Sequence, residues 1–388
     1  MSANNTWTVI FGGPSPEHEI SILTGLQAER VLRTAGHTIQ PVYVAPNGQW
    51  LLVPENTEAK DYLEGSPSGS KELDVRPGGQ PGLYLKKGMG SKKVDVDAAL
   101  LCFHGGGGEG GGGAFLCELL GIPHTGSSLY AGAVGMDKLA FAGLLTNAGI
   151  PSLPRQHLSR ETAPEFAGPY IVKPRFGGSS IGIEIVEDID TARALADSSP
   201  HLKNGAVIEP YRADIVDLNI SFRTYPTLEL TALERPLRGD KDAESSGAGG
   251  VYSYQEKYLQ GEGGAGLTHA PREFPAQVPD VVASRAVELA TAVAEVTRLT
   301  GIVRVDLLWD PADDSVYVNE VNTIPGALSL YLWSPTRPPA EVLTDALREA
   351  VERRIRWPQA GFSQGIALKA AGGIAGKLVG MGSLATNA

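Results

Sequence analysis

Residues 301–327 hold the densest chemistry in this chain. Arg304 and Asp306 close one apolar run, and a turn of Asp310, Pro311, Asp313 and Asp314 follows. A second run, Val316 to Val318, leads into Glu320 and Asn322. The pattern predicts a β-hairpin whose strands carry an Asp and a Glu-x-Asn to the same end. Two carboxylates and an amide oxygen are hard ligands suited to Mg²⁺, which takes its remaining ligands from nucleotide phosphates and water. Arg304 lies two residues before Asp306, so both point from one strand face. Taken alone, an acidic hairpin is also what a solvated turn looks like.

Four further features join it. In VKPRFGGSSIG a strand delivers Lys173, and Gly177, Gly178, Ser179, Ser180 and Gly182 form a loop before the next strand. Glycines let backbone N–H groups approach phosphate oxygens, and the hydroxyls add donors. The lysine precedes the glycines and no helix follows, so this is not a Walker A loop. FGGPSPEHEIS places Glu17 at the start of the first helix directly after a strand. There it either caps the helix or faces the crevice where α/β folds bind ligands. FHGGGGEGG brings His104 and Glu109 off another strand end. VYSYQEKYL, 251–259, sets tyrosines and a lysine in an otherwise polar, Gly-rich stretch, as a loop closing over a ligand requires.

The elements that must position these groups read as alternating α and β. A strand from Trp7 to Phe11, a helix over 17–35 and a strand over 38–45 make a βαβ opening and predict a parallel sheet. Residues 46–94 are turn-rich and read as a small hairpin with a loop-rich insertion. A strand over 98–103 and a helix over 114–120 follow, with a boundary near 127–135 and a helix over 137–148. Strands are expected at 170–174, 182–186, 206–210 and 217–223, and an Ala-rich helix at 282–297. The stretch 234–271 reads as a long mobile loop, and the tail after Pro358 as a helix with a frayed end.

Composition bounds the rest. The chain has 388 residues, 42% hydrophobic and 20% charged, ordinary values for a globular protein with more than one domain. A net charge of −11 argues against a general nucleic-acid binder. Cys102 and Cys117 have no metal or redox spacing and read as reduced core thiols of a cytoplasmic protein. No signal peptide and no membrane span are expected.

In this order, GGPSPEHE, VKPRFGGSSIG, YSYQEKY and NEVNTIPG resemble the D-alanine–D-alanine ligase family, a branch of the ATP-grasp carboxylate–amine ligases. The matching segments run from Glu17 to about Leu330. The resemblance implies an α/β fold: a Rossmann-like N-terminal domain over 1–130, then a two-lobed ATP-grasp region. Its small lobe would span 131–212, and its C-terminal lobe 213–388 with the mobile loop 234–271.

By the same resemblance Lys138 and Lys173 bind ATP phosphates, with Ser180 in the phosphate loop. Glu209 and the Pro210–Tyr211 backbone hold adenine, Asp217 the ribose, and Lys257 reaches the γ-phosphate. Asp306, Glu320 and Asn322 hold two Mg²⁺ ions, for which Mn²⁺ could substitute. Glu17, Ser179 and Tyr258 form a hydrogen-bonded trio around the first amino acid. Arg304 and the Gly326 N–H oppose the oxyanion. His104, Ser329 and Leu330 fall to substrate binding, the last two as a Ser-Leu pair gripping the second substrate's carboxylate.

The implied activity joins two amino acids through an acyl phosphate, in peptidoglycan precursor synthesis, by a cytoplasmic homodimer. The partners are ATP and amino acids, with neither nucleic acid nor membrane. A relative with another amine acceptor, as in mycosporine-type biosynthesis, is an alternative, and a silent nucleotide-binding protein is a third.

The chain also departs from the family pattern. GEDG is Gly108-Glu109-Gly110-Gly111, an expected Gln is Ala114, and YDY is Tyr252-Ser253-Tyr254. The segment after NTIPG reads as short, Ala327 to Trp333. These departures leave the ATP chemistry whole and put the acceptor in question.

Overall fold

The computed structural model describes residues 5–88, 90–237, 271–353 and 365–371. Contacts divide the chain into residues 1–354 and 355–388; within the second unit only a helix, Ile366–Ala371, is described.

The first sheet has seven strands. β1 (Thr6–Gly12) lies between β2 (Thr38–Val44) and β7 (Ala98–Leu101), parallel to both. The helix α1 (His18–Thr34) makes the β1–β2 crossover, so the βαβ opening stands as expected. Where a small hairpin with a loop-rich insertion is expected over 46–94, the structure is more regular. The segment contributes four strands, β3 (Trp50–Leu52), β4 (Lys71–Arg76), β5 (Gly82–Lys87) and β6 (Gly90–Lys93), which extend the sheet antiparallel from β2. Short strands rich in Lys, ending in the fully exposed β6, fit a sheet edge. Their polar composition hid them among turn residues.

After the helix α2 (Gly113–Leu120), the expected boundary at 127–135 holds a helix, α3 (Leu129–Met136), which runs almost directly into α4 (Lys138–Asn147). Ser128 caps α3 and Asp137 caps α4, each side chain accepting from backbone N–H groups in the first turn. A four-stranded antiparallel sheet follows: β8 (Gln156–Leu158), β9 (Tyr170–Pro174), β10 (Glu184–Val186) and β11 (Ala206–Pro210), in the order β10-β9-β11-β8. The helix α5 (Ile189–Ser198) packs on it over a small core of Leu158, Val172, Ala192 and Ile208.

The third sheet joins β12 (Val216–Arg223), β13 (Glu229–Leu230), β16 (Ile302–Asp310) and β17 (Ser315–Asn322), in the order β13-β12-β16-β17. Its strands alternate faces. Leu218, Ile220, Val303, Val305 and Val318 pack on the helix Asp280–Thr297, leaving Asp217, Asn219, Arg304 and Asp306 to the other side. A two-residue antiparallel ladder pairs β14 (Arg235–Pro236) with β15 (Arg272–Glu273).

The largest apolar core unites distant parts of the chain. Val9, Ile10, Phe11, Leu32 and Leu100 from the first sheet and α1 share one cluster with Trp333, Leu343 and Leu347. The last two come from the helix Pro339–Glu352, which packs on β7 and α1.

Candidate active site

One open cavity lies where the three sheets meet, and nearly all the residues singled out in the sequence border it. Its floor is the predicted hairpin. Asp306 stands opposite Glu320, and Arg304 opposite Asn322. A bulge after Asp306 leaves Asn319 as the extra residue, so Asn319, Glu320 and Asn322 all reach the cavity wall. Arg304 donates from Nε and Nη2 to the two oxygens of Asp306, at 2.6 and 2.9 Å. Asn322 Nδ2 donates to Asp306 Oδ2 at 3.0 Å. Burial works against the charge of Arg304, but Asp306 overrides it and raises the guanidinium well above its usual range.

One end of the cavity is built on β9, β11 and α4. Lys173 Nζ donates to Glu209 Oε2 at 3.0 Å, and Lys138 Nζ donates to the Gly177 carbonyl at 2.6 Å. Lys138 also lies 3.8 Å from Glu320, linking the small lobe to the hairpin. Burial, joined by the positive charges of Arg155 and Lys173 and opposed by Glu320, lowers the Lys138 ammonium.

The buried Glu209 side chain does not stand open to a base: Arg155 Nε donates to its other oxygen at 2.6 Å. Burial by itself would raise this carboxyl, yet Arg155 and Lys173 hold it at about 2. Pro210, Tyr211 and Asp217 line the same end, beside the loop that bears Ser179 and Ser180. Both serines adopt positive φ, 52° and 58°, which lets the loop reverse between β9 and β10.

Arg155 escaped the sequence reading. Besides Glu209 it donates to the Lys138 carbonyl at 3.0 Å and to the Asn319 carbonyl at 3.2 Å. It therefore ties α4, β11 and β17 together behind the lysines. A single Arg in PSLPRQHL carries no spacing signal, and no sequence pattern marks it.

Elsewhere on the cavity wall Glu17 is buried at the entrance to α1, against two glycine loops. A Cβ on Gly105 would come within 2.5 Å of Glu17 Oε2, and one on Gly178 within 3.4 Å of Oε1. The small-lobe loop is thus in contact with the first helix, as the pairing of Glu17 with Ser179 requires. Tyr258 and Lys257 lie outside the described residues, as does most of the expected loop 234–271.

His104 is buried with Nε2 2.8 Å from Thr24 Oγ1. Burial, helped by Arg304 and opposed by its contact with the Ile324 backbone, lowers its imidazole to about 4, so it is neutral at pH 7. Glu109 accepts from the Gly105 N–H at 2.7 Å and the Ile324 N–H at 3.3 Å. Burial, reinforced by the charge of Glu17, pushes its carboxyl up to about 8.

Beyond Gly326 the wall differs from expectation. Ala327, Leu328 and Ser329 take φ of 51°, 50° and 50°, three consecutive left-handed residues. This turn buries Ser329 and Leu330 and puts Tyr331 on the cavity surface in their place. Ser329 Oγ has no hydrogen-bond partner and faces the interior.

A family model described as the D-ala D-ala ligase N-terminus matches residues 6–127, and the D-ala D-ala ligase C-terminus model matches 132–336. The chain belongs to the D-alanine–D-alanine ligase family. Ligases of this family use ATP to form a peptide bond, and this chain is such an enzyme. The D-alanine–D-alanine ligase of Mycobacterium ulcerans is 32% identical over 344 residues, covering 84% of this chain and 88% of that one. That of Thermosipho melanesiensis is 29% identical over 335 residues, covering 84% and 87%.

Among solved structures, D-alanyl-alanine synthetase A from Vibrio cholerae superposes with a TM-score of 0.73 at 20% identity, over 91% of this chain and 100% of that one. The VanG D-Ala:D-Ser ligase from Enterococcus faecalis gives 0.72 at 22%, over 90% and 100%. At these identities the superpositions speak for the fold, which is the ATP-grasp fold of the family behind a Rossmann-like domain.

The donor set suits the family's metal. Asp306 and Glu320 face each other across the hairpin with Asn322 beside them. Among the described residues no group of three or more His, Cys, Asp or Glu forms an all-protein cage. Two carboxylates completed by phosphate oxygens and water are how Mg²⁺ is ordinarily held.

Proposed function

We propose that this enzyme is a D-alanine–D-alanine ligase that supplies the dipeptide for peptidoglycan precursors. The observation carrying this reading is the cavity itself. It brings together two buried lysines, the hairpin of Arg304, Asp306 and Glu320, and the buried Glu17 and His104.

A carboxylate is a poor electrophile at neutral pH. The first amino acid binds against Glu17, the acidic group placed for its ammonium. Its carboxylate is phosphorylated by ATP, with Lys138 and Lys173 neutralising the transferring group. Mg²⁺ held by Asp306, Glu320 and Asn322 supplies charge neutralisation at the phosphates when bound. The amine of the acceptor then attacks the acyl carbon. Arg304 and the Gly326 N–H oppose the negative charge that develops on its oxygen. Phosphate leaves and the amide remains. Neutral His104, held by Thr24, adds bulk without charge beside the first amino acid.

The remaining assignments follow the family. Pro210, Tyr211 and Asp217 hold adenine and ribose, Ser180 the phosphates, and Lys257 the γ-phosphate. Tyr258 completes the trio with Glu17 and Ser179. Mn²⁺ can replace Mg²⁺. The domains run 1–130, 131–212 and 213–388, and the enzyme acts as a cytoplasmic homodimer. Among the described residues no helix is long and apolar enough to cross a membrane.

The test is a screen of D- and L-amino acids for ADP release with purified protein. D-alanine should give the highest rate, with D-alanyl-D-alanine as product. Failure of D-alanine to release ADP, alone or with a second amino acid, would refute the reading.

A further inference from the structure

The cations of this cavity are unevenly committed. Lys138, Lys173 and Arg155 belong to the nucleotide end, balanced by Glu320 and Glu209. Arg304 gives Nε and Nη2 to Asp306, so much of its fork is taken by the hairpin floor. An acceptor amino acid brings a carboxylate of its own, which must be desolvated beside Arg304 for its amine to reach the acyl carbon. A buried carboxylate needs a cation, and a planar guanidinium matches it best.

The residues expected for this grip do not reach the cavity: Ser329 and Leu330 are turned into the core by the left-handed turn before them. The wall there is formed by Tyr331, Arg272 and Glu234. The Arg272 guanidinium stacks on the Tyr331 ring, 4.2 Å from its centroid. It pairs at 3.0 Å with the buried Glu234. Glu234 also accepts from Asn219 Nδ2 at 2.9 Å and from the Tyr331 hydroxyl at 3.3 Å. Arg272 is paired with Pro236 in the β14–β15 ladder, and Glu234 immediately precedes β14, so the ladder holds the two near each other. Glu234 thus orients Arg272, and Tyr331 holds its plane.

We propose that Arg272, seated on Tyr331 and oriented by Glu234, binds the carboxylate of the acceptor amino acid. The enzyme therefore takes acceptors with a free α-carboxylate through a side-chain clamp, and Arg272 sets its discrimination against amines that lack one. The inference rests on the ligase reading and assigns its second substrate site.

Two acceptors separate its consequences. Hydroxylamine captures the acyl phosphate as a hydroxamate and has no carboxylate to bind. D-alanine, as acceptor, forms the dipeptide and does. With ATP and D-alanine as first substrate, Arg272→Gln should raise the acceptor KM on the order of 10- to 100-fold, the loss of a charge-assisted contact. Hydroxamate formation by the same variant should stay within about twofold of wild type.

Wild type should also prefer D-alanine over D-alaninamide as acceptor, and Arg272→Gln should erase that preference. Arg272→Lys keeps the charge without the fork and should recover part of the affinity. Tyr331→Phe, which removes one hydroxyl, should raise the acceptor KM by a smaller factor. An unchanged acceptor KM in Arg272→Gln would overturn the proposal. So would hydroxamate and dipeptide formation falling in parallel, or equal use of D-alanine and its amide by wild type. Failure of wild type to form any hydroxamate with D-alanine would instead strike the ligase reading itself.

Discussion

The two ends of the cavity solve the burial of charge differently. At the nucleotide end each cation has a carboxylate or carbonyl from another element: Lys173 and Arg155 share Glu209, and Lys138 meets Gly177 and Glu320. The groups are tied between α4, β9, β11 and β17, a framework cross-linked before any ligand binds. At the other end the buried carboxylates Glu17 and Glu109 lie close, and burial with the charge of Glu17 pushes the Glu109 carboxyl up to about 8 against the opposing pull of Arg304. In the proposed reading the first end would hold the polyphosphate and the second, an acidic hollow, the ammonium of a substrate. Positional rigidity would then be concentrated at the phosphates, and selectivity at the amino acids.

The sharpest break in this comparison comes from Arg304, which belongs to both ends. Arg304→Met should lower turnover about 10²- to 10³-fold. Dipeptide and hydroxamate formation should fall together, since both pass through the same oxyanion. Loss of one product only would move Arg304 out of that role.

Next in size are Glu320→Gln and Asn322→Ala, each expected to cost roughly 10²-fold in kcat with the fold retained. The Mg²⁺ concentration for half-maximal ADP release should rise in both. Wild-type rates at saturating ATP and Mg²⁺ would remove the metal assignment.

Arg155→Met should raise the KM for ATP about tenfold, because Glu209 loses one of its two cations and the lysine beside it shifts. The KM for D-alanine should stay put. Equal changes in both constants would mean that the two ends are less separate than their contacts indicate.

The smallest effect is on stability. Glu109 titrates near 8 in the folded protein against 4.5 for an ordinary carboxyl, so the folded state holds a proton through that interval. Its contribution is complete below the lower value and lost as pH rises through the upper one. The Tm of wild type should therefore fall across this range more steeply than that of Glu109→Gln. Parallel Tm curves would show Glu109 ionised like an exposed carboxyl.

How much of this was legible in the sequence follows the same division. The hairpin, the glycine loop and the βαβ opening are local patterns, and each element formed where alternation and turn residues put it. Glu17, Lys173, Asp306 and Glu320 could be picked out because they sit at strand or helix ends within a few residues of such signals. Arg155 could not, since its three partners come from α4, β11 and β17 and only tertiary packing assembles them. Of strands β3 to β6 only a small hairpin was anticipated, because short strands toward the β6 edge tolerate the Lys and Gly that otherwise read as loop. Ser329 was chosen by residue type. Three successive left-handed residues, an arrangement costing about 1–2 kcal/mol each for residues with a Cβ, then rotated Tyr331 into its place. No periodicity rule anticipates that.

The shared apolar core has a consequence for how the chain is made. The first sheet leaves the ribosome early, yet part of its covering, Trp333, Leu343 and Leu347, is encoded near the other end of the described fold. At about 5–20 residues per second, roughly two hundred residues of synthesis separate them, a wait on the order of 10–40 s. Through that interval α1 and β7 display the surface that the helix Pro339–Glu352 will later cover. A ribosome stalled before residue 339 would hold a nascent chain whose first domain is formed but greasy on one side, a natural client for chaperones. Newly made enzyme should become protease-resistant only after the helix Pro339–Glu352 is released.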